Sequence, residues 1–97
     1  MSRVGHVLRH EEDIFKALGA YAVHLRKAGN IRITLLVLRT GLTRSAYYRF
    51  EQGAVGITLL TALRVAGAFN LSLSVFFNRA ITHNKLSKGG TTNASTI

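Results

Sequence analysis

The chain is 97 residues and 10.6 kDa, the size of one small domain and not two. Thirteen Lys and Arg against four Asp and Glu give a formal charge of +9 and a sequence pI near 11.3, so a polyanion, nucleic acid or an anionic membrane surface, is the first partner to consider. Cysteine is absent, which excludes a disulfide framework, a thiolate zinc site and a cysteine nucleophile, and 47% hydrophobic residues with a mean hydropathy of +0.20 is too apolar for a disordered basic tail.

The charge is uneven. Nine of the thirteen cations are arginine, the side chain suited to forked contacts with phosphates and base edges. Glu11, Glu12 and Asp13 stand together, and after them Glu51 is the one carboxylate facing eleven Lys and Arg. The longest apolar run, Leu35-Leu36-Val37-Leu38, is far short of the ~18 residues of a membrane span, and MSRVGHVLRHEED lacks a signal-peptide core. A soluble cytoplasmic protein is expected. Its apolar content is high for a small monomer and points to a buried oligomer surface.

In chain order, residues 1–10 read as a flexible arm. From Glu11 the pattern is helical, with Ile14, Leu18, Tyr21, Ala22 and Leu25 on one stripe. The acids at 11–13 suit the positive end of that helix and Lys27 the negative end, and Gly29-Asn30 is the stop, glycine taking the left-handed geometry. Residues 31–39, IRITLLVLR, read as a buried strand by propensity, but no other segment offers a partner strand. They are read as a short apolar helix, with the strand as the open alternative.

Gly41-Leu42-Thr43 is a short turn whose Thr43 caps a third helix running to about Gln52, with Ala46, Tyr47 and Phe50 inward and Gly53 after it. Thr58 caps a fourth helix with Leu59, Ala62, Leu63, Ala66 and Phe69 as its inner face, ending near Asn70. Ser72 caps a last short helix through Leu73, Phe76 and Phe77, ending around residues 78–80. The remainder, polar and rich in Gly, Ser and Thr, reads as a flexible tail. The expected organisation is all-α: an arm at 1–10, a five-helix domain at 11–79 and a tail at 80–97.

From Leu25 to Phe77 the sequence resembles the Cro/CI-type (phage-repressor, XRE-like) helix-turn-helix domain. The match centres on GLTRSAYYRFEQG (Gly41 to Gly53), similar to the family's turn, recognition helix and closing Glu-x-Gly. TLLTALRVAGAFNLSLSVFF (Thr58 to Phe77) is similar to its fourth and fifth helices, with Ala66, Ala68, Ser72 and Leu73 in register. A helix, a short glycine-containing turn and a second helix is also the geometry that puts a helix N-terminus into the major groove.

The resemblance implies roles for particular residues. Arg44, Ser45 and Arg49 match the base-reading positions; each arginine is able to fork onto guanine O6 and N7. Without that register, two arginines on an outer helix face would be ordinary solvated surface. Arg32, Thr43, Tyr48 and Gln52 fall to the DNA backbone, Thr43 presenting its helix's N–H groups toward phosphate. Glu51 matches a glutamate that pairs in the family with an arginine of the first helix, here Arg26, as a half-buried ion pair.

Departures from the pattern are Ile33 in place of a usual glutamine, Ile57 in place of a proline, and Leu35, Leu38 and Leu60 where polar residues are common. Leu73, Val75, Phe76 and Phe77 are more apolar surface than one small core easily buries, and are assigned to a homodimer interface. The function implied is a repressor, associated with the bacterial nucleoid, that binds a pseudo-palindromic double-stranded DNA operator as a homodimer. Control by its own concentration in a phage or plasmid circuit, a mobile element, follows from the same resemblance. Two other readings are an antitoxin whose tail folds onto a toxin and a non-specific basic binder of nucleic acid or membrane. His6, His10, His24 and His83 form no ligand set, so no metal, cofactor or small-molecule effector is expected. No catalytic constellation is present, so no enzyme is expected.

Overall fold

A computed structural model describes the side chains of residues 13–84 and the helical course of the backbone from 2 to 96. Five helices follow one another: α1 (Ser2–Ala28), α2 (Ile33–Thr40), α3 (Arg44–Glu51), α4 (Leu59–Ala68) and α5 (Leu73–Thr96). No strand occurs among the described residues. The stretch that propensity makes a strand is α2, because helical spacing lets Leu36 and Thr40 be buried with Ile33 and Val37 half-buried beside them. Helix formation also satisfies its backbone locally, which a strand without a partner cannot do.

α1 packs against α3 and α5, and α2 packs against α4. Tyr47, Phe50, Phe76, Leu36 and Val65 are the large side chains fully removed from water, each stabilising the fold by roughly 1.5–3 kcal/mol. On α1 the stripe expected from Ile14 to Leu25 is the inner face, with Leu18, Tyr21 and Ala22 buried and Ile14 and Leu25 packed at its edges. Thr43, Thr58 and Ser72 each accept a hydrogen bond from the backbone N–H three residues on, at 3.0, 3.2 and 3.1 Å.

Several boundaries differ from the sequence reading. α1 starts at Ser2, so the acids at 11–13 are not in its first turn; residues 2–12 hold no proline and one glycine, and nothing in them stops a helix. The left-handed residue after α1 is Asn30 (φ 54°) and not Gly29, and Asn70 (φ 60°) does the same after α4. At both ends two backbone bonds close the turn: Asn30 N–H to Lys27 and Ile31 N–H to Arg26, Asn70 N–H to Gly67 and Leu71 N–H to Ala66.

On α4 the buried residues are Ala62, Val65, Ala66 and Ala68, whereas Leu59 and Leu63 are 73% and 49% exposed. α5 does not end at residues 78–80: Ala80 is fully buried and His83 packs on α1. The arm at 1–10 and the tail from 85 onward lie outside the residues whose side chains are described.

Candidate nucleic-acid interface

The turn between α2 and α3 is fastened by a buried threonine. The Thr40 hydroxyl donates to the Leu36 carbonyl at 2.8 Å and accepts from the Leu42 N–H at 3.2 Å, so both sides of the turn hang on one side chain. Gly41 takes φ 73°, and α3 then starts at Thr43, whose backbone is extended and whose hydroxyl caps the helix. From that point α3 is two-faced. Tyr47 and Phe50 enter the core, while Arg44, Ser45, Tyr48 and Arg49, with Gln52 just beyond the helix, are exposed.

What holds the inner face in place is mostly backbone proximity to α1. A Cβ on Gly19 would overlap the carbonyl oxygen of Phe50 and come within 2.6 Å of that of Glu51. The last turn of α3 therefore rests directly on the α1 backbone. Gly53 is constrained twice: it has φ 75°, and a Cβ there would lie 2.7 Å from Lys16 Cα. Sequence reasoning used Gly53 as a stop signal but gave no role to Gly19, because an isolated glycine on a helix stripe does not say which backbone will approach it.

Beside this contact Arg26 and Glu51 meet as a fork. Arg26 Nε donates to Glu51 Oε2 at 2.7 Å and Nη2 donates to Oε1 at 3.0 Å, with the side chains 19% and 7% exposed. The hydrogen bond to Glu51 raises the Arg26 pKa further, against the opposing effect of burial. The Tyr47 hydroxyl is buried nearby without a hydrogen-bond partner among protein atoms. Burial, and next the adjacent Glu51 carboxylate, push its pKa far above the ordinary tyrosine value. This polar pocket joins α1 to α3 at the root of the exposed face.

The outer face is varied in its engagement. Arg44 Nη2 donates to Thr34 Oγ1 at 3.3 Å, so the guanidinium lies back along the junction of α2 and α3. Ser45 and Arg49 line one hollow of about 270 Å³ with Thr43, Ala46, Ile57 and Thr61. Arg32 is the residue preceding α2; it is exposed and its side chain makes no cap. Tyr48 is 41% exposed. Of the assigned residues, Thr43, Ser45 and Arg49 thus come together around one hollow and Arg44 lies against α2, while Arg32, Tyr48 and, past the C-terminal end of α3, Gln52 are exposed. Arg39, by contrast, is spent on structure: its Nη1 donates to the Ala68 carbonyl at 3.3 Å, capping α4, whose last turn has no basic residue of its own. Nothing in the spacing of Arg39 distinguishes it from the outward arginines.

A helix-turn-helix family model matches residues 24–76, more than half of the chain. The protein belongs to the Cro/CI-type, XRE-like helix-turn-helix family. As a member it is a DNA-binding transcription regulator. No curated protein matches the chain. Among the described residues, no single helix is long and apolar enough to cross a membrane.

The four residues assigned to a dimer interface do not form one surface. Phe76 is fully buried against Tyr21 and Phe50, and Leu73 is partly buried against the core. Phe76 is removed from the interface by this, since it is already covered. Val75 and Phe77 are each 37% exposed, but two helical positions put them about 160° apart around α5. Phe77 lines an apolar groove with Ile14, Phe15, Ile57 and Leu59. Val75 is not among the residues lining it.

Proposed function

We propose that this protein is a sequence-specific repressor that binds a pseudo-palindromic operator as a homodimer and regulates its own gene in a phage or plasmid circuit. The observation that carries the reading is the α3 outer face, where Arg44, Ser45 and Arg49 stand exposed on a helix whose inner face is fixed to α1 by the Arg26–Glu51 fork. A reading helix held this rigidly presents base-edge donors at a fixed register. Arg32, Thr43, Tyr48 and Gln52 surround the readers and serve the phosphates.

One recognition helix reads few base pairs and a single module buries only about 600–1,000 Å² on DNA. Two-fold symmetry doubles the reading and sets half-sites ~34–36 Å apart. The face offered for pairing is the apolar groove edge of Phe77 and Leu59, continued on α4 by the exposed Leu60 and Leu63.

Selection of binding sequences from random duplex DNA tests the reading; a dyad-symmetric consensus is expected. On that site Arg44→Ala and Arg49→Ala should each cost about 1–3 kcal/mol and relax preference at particular base pairs. Arg32→Ala should weaken all sequences alike and flatten the salt dependence. Uniform losses for all three, or selection of no consensus, would overturn sequence-specific recognition.

A further inference from the structure

The hollow that holds Ser45 and Arg49 has two chemically distinct halves. It has a volume of about 270 Å³ and lies between the outer face of α3 and the start of α4. Its two threonine hydroxyls are already engaged: Thr43 Oγ1 accepts from the Ala46 N–H at 3.0 Å, and Thr61 Oγ1 lies 3.1 Å from Thr58 Oγ1. Ser45 and Arg49 are exposed, and among the described residues neither side chain has a hydrogen-bond or ion-pair partner. Opposite these two free donors, the half-buried Ala46 and Ile57 form an apolar wall. Ile57 is also one of the positions at which this chain departs from the family pattern.

We propose, on the operator reading above, that this hollow reads a thymine: its C5-methyl enters against Ala46 and Ile57 while its O4 accepts from the Ser45 hydroxyl. The major-groove edges of the bases leave few alternatives. Thymine is the base that carries an apolar group there, and its O4 acceptor lies on the same edge, so one base meets both halves of the hollow. A serine hydroxyl is able to donate to thymine O4 or accept from cytosine N4, and therefore does not choose between them. The apolar wall does, because cytosine has no methyl to cover it. A phosphate would satisfy Ser45 and Arg49 but would bring its charge against Ala46 and Ile57, where nothing solvates it. With O4 held by Ser45, Arg49 remains free to fork onto a neighbouring guanine. The element read in each half-site is then a thymine beside a guanine, and Ile57 is a specificity-determining residue that bears no hydrogen-bonding group.

The test starts from the duplex that the full chain selects and replaces each thymine in turn by deoxyuridine, which removes the C5-methyl and nothing else. One thymine per half-site should respond, its replacement weakening binding about fourfold, the worth of one buried methyl. It should lie beside the guanine whose preference Arg49→Ala relaxes. With Ile57→Ala the ratio between the thymine and deoxyuridine duplexes should fall close to one, whereas Ser45→Ala should weaken both duplexes and keep the ratio. Ile57 also lines the apolar groove, but each ratio compares two duplexes on one protein, so any effect of the substitution on folding or pairing cancels. A selected duplex with no thymine that responds, or a ratio that survives Ile57→Ala, would overturn the thymine assignment and leave sequence-specific reading in place. Selection of no consensus would overturn both.

Discussion

The two sides of α1 are built differently. Toward α3 the contact is backbone on backbone, with Gly19 and Gly53 admitting the chain and one forked ion pair fixing its register. Toward α5 it is a cluster of tilted rings, Tyr21 against Phe76 and His83, flanked by apolar side chains that remain partly exposed. Glycine seats and a bidentate pair tolerate no sliding, which suits a helix that has to present side chains at fixed positions. Ring packing beside an open apolar groove tolerates repacking, which suits a surface that receives a partner. Under the proposed function, the difference divides the molecule into a reading side and an associating side.

The sharpest way to break the first contact is the smallest. Gly19→Ala in a helix would ordinarily stabilise by about 0.5–1 kcal/mol. Here the added methyl meets the Phe50 and Glu51 carbonyls, and the expected result is a loss of about 4 kcal/mol or more, a large part of the ~5–15 kcal/mol available to a small domain. Thermal melts decide it. A melt unchanged from the parent would mean that α3 is not seated on α1 as described.

Next in size is Glu51→Ala, which leaves Arg26 with no partner at a half-buried position. Loss of one member of a buried pair costs about 2–4 kcal/mol when the survivor keeps an edge in water, or roughly 10 °C or more in Tm. Electrostatics alone would make the variant a better DNA ligand, since a negative charge is gone. Lower stability with weaker operator binding is therefore the signature of a positioning role. Unchanged Tm with tighter binding would show that the fork does not matter.

How far the sequence carried varies with the kind of contact. The order of helices, the turn and the inner face of α3 could be read because each has a local signature, a cap or a periodic stripe, whereas the pairing of Arg26 with Glu51, 25 positions apart, came only from the family resemblance. Close approach has no local signature, so Gly19 was passed over. On α4 the sequence reading took the most apolar stripe, with Leu59 and Leu63, as the inner face, whereas the buried one runs through Ala62, Val65, Ala66 and Ala68. The packing of His83 on α1 was missed because the last helix was ended before residue 83, and Phe76 was offered to a partner for want of the ring contacts that bury it.

On the associating side, Phe77→Glu should separate the dimer and weaken operator binding at least about tenfold, or 1.4 kcal/mol, because it puts a charge into the groove edge beside Leu59. Val75→Glu, on the opposite flank of α5, should leave both nearly unchanged. Analytical ultracentrifugation with and without operator DNA separates the two. Equal effects from both variants would move the interface off the groove, and a wild type that is monomeric at tens of micromolar would remove the dimer altogether.

The smallest expected effect at neutral pH sits inside the reading side. Tyr47→Phe deletes a buried hydroxyl that has no hydrogen-bond partner, so stability at pH 7 should change by less than about 1 kcal/mol. The alkaline limb should change more. In the fold the Tyr47 pKa is raised by burial and by Glu51, whereas in the unfolded chain a tyrosine ionises near the ordinary value of about 10. Below that value both states hold the proton and the group does not tilt the balance with pH. Above it the unfolded chain gives up the proton and the native state keeps it, so stability falls as pH rises, by as much as ~1.4 kcal/mol per pH unit for one group. Tyr47→Phe should remove that share of the slope, so the two proteins match at neutral pH and the variant becomes the more stable one above about pH 10. Parallel denaturant titrations across that range check it: curves that stay parallel to high pH would place the hydroxyl in water, and the polar pocket joining α1 to α3 would then be open where the structure has it closed.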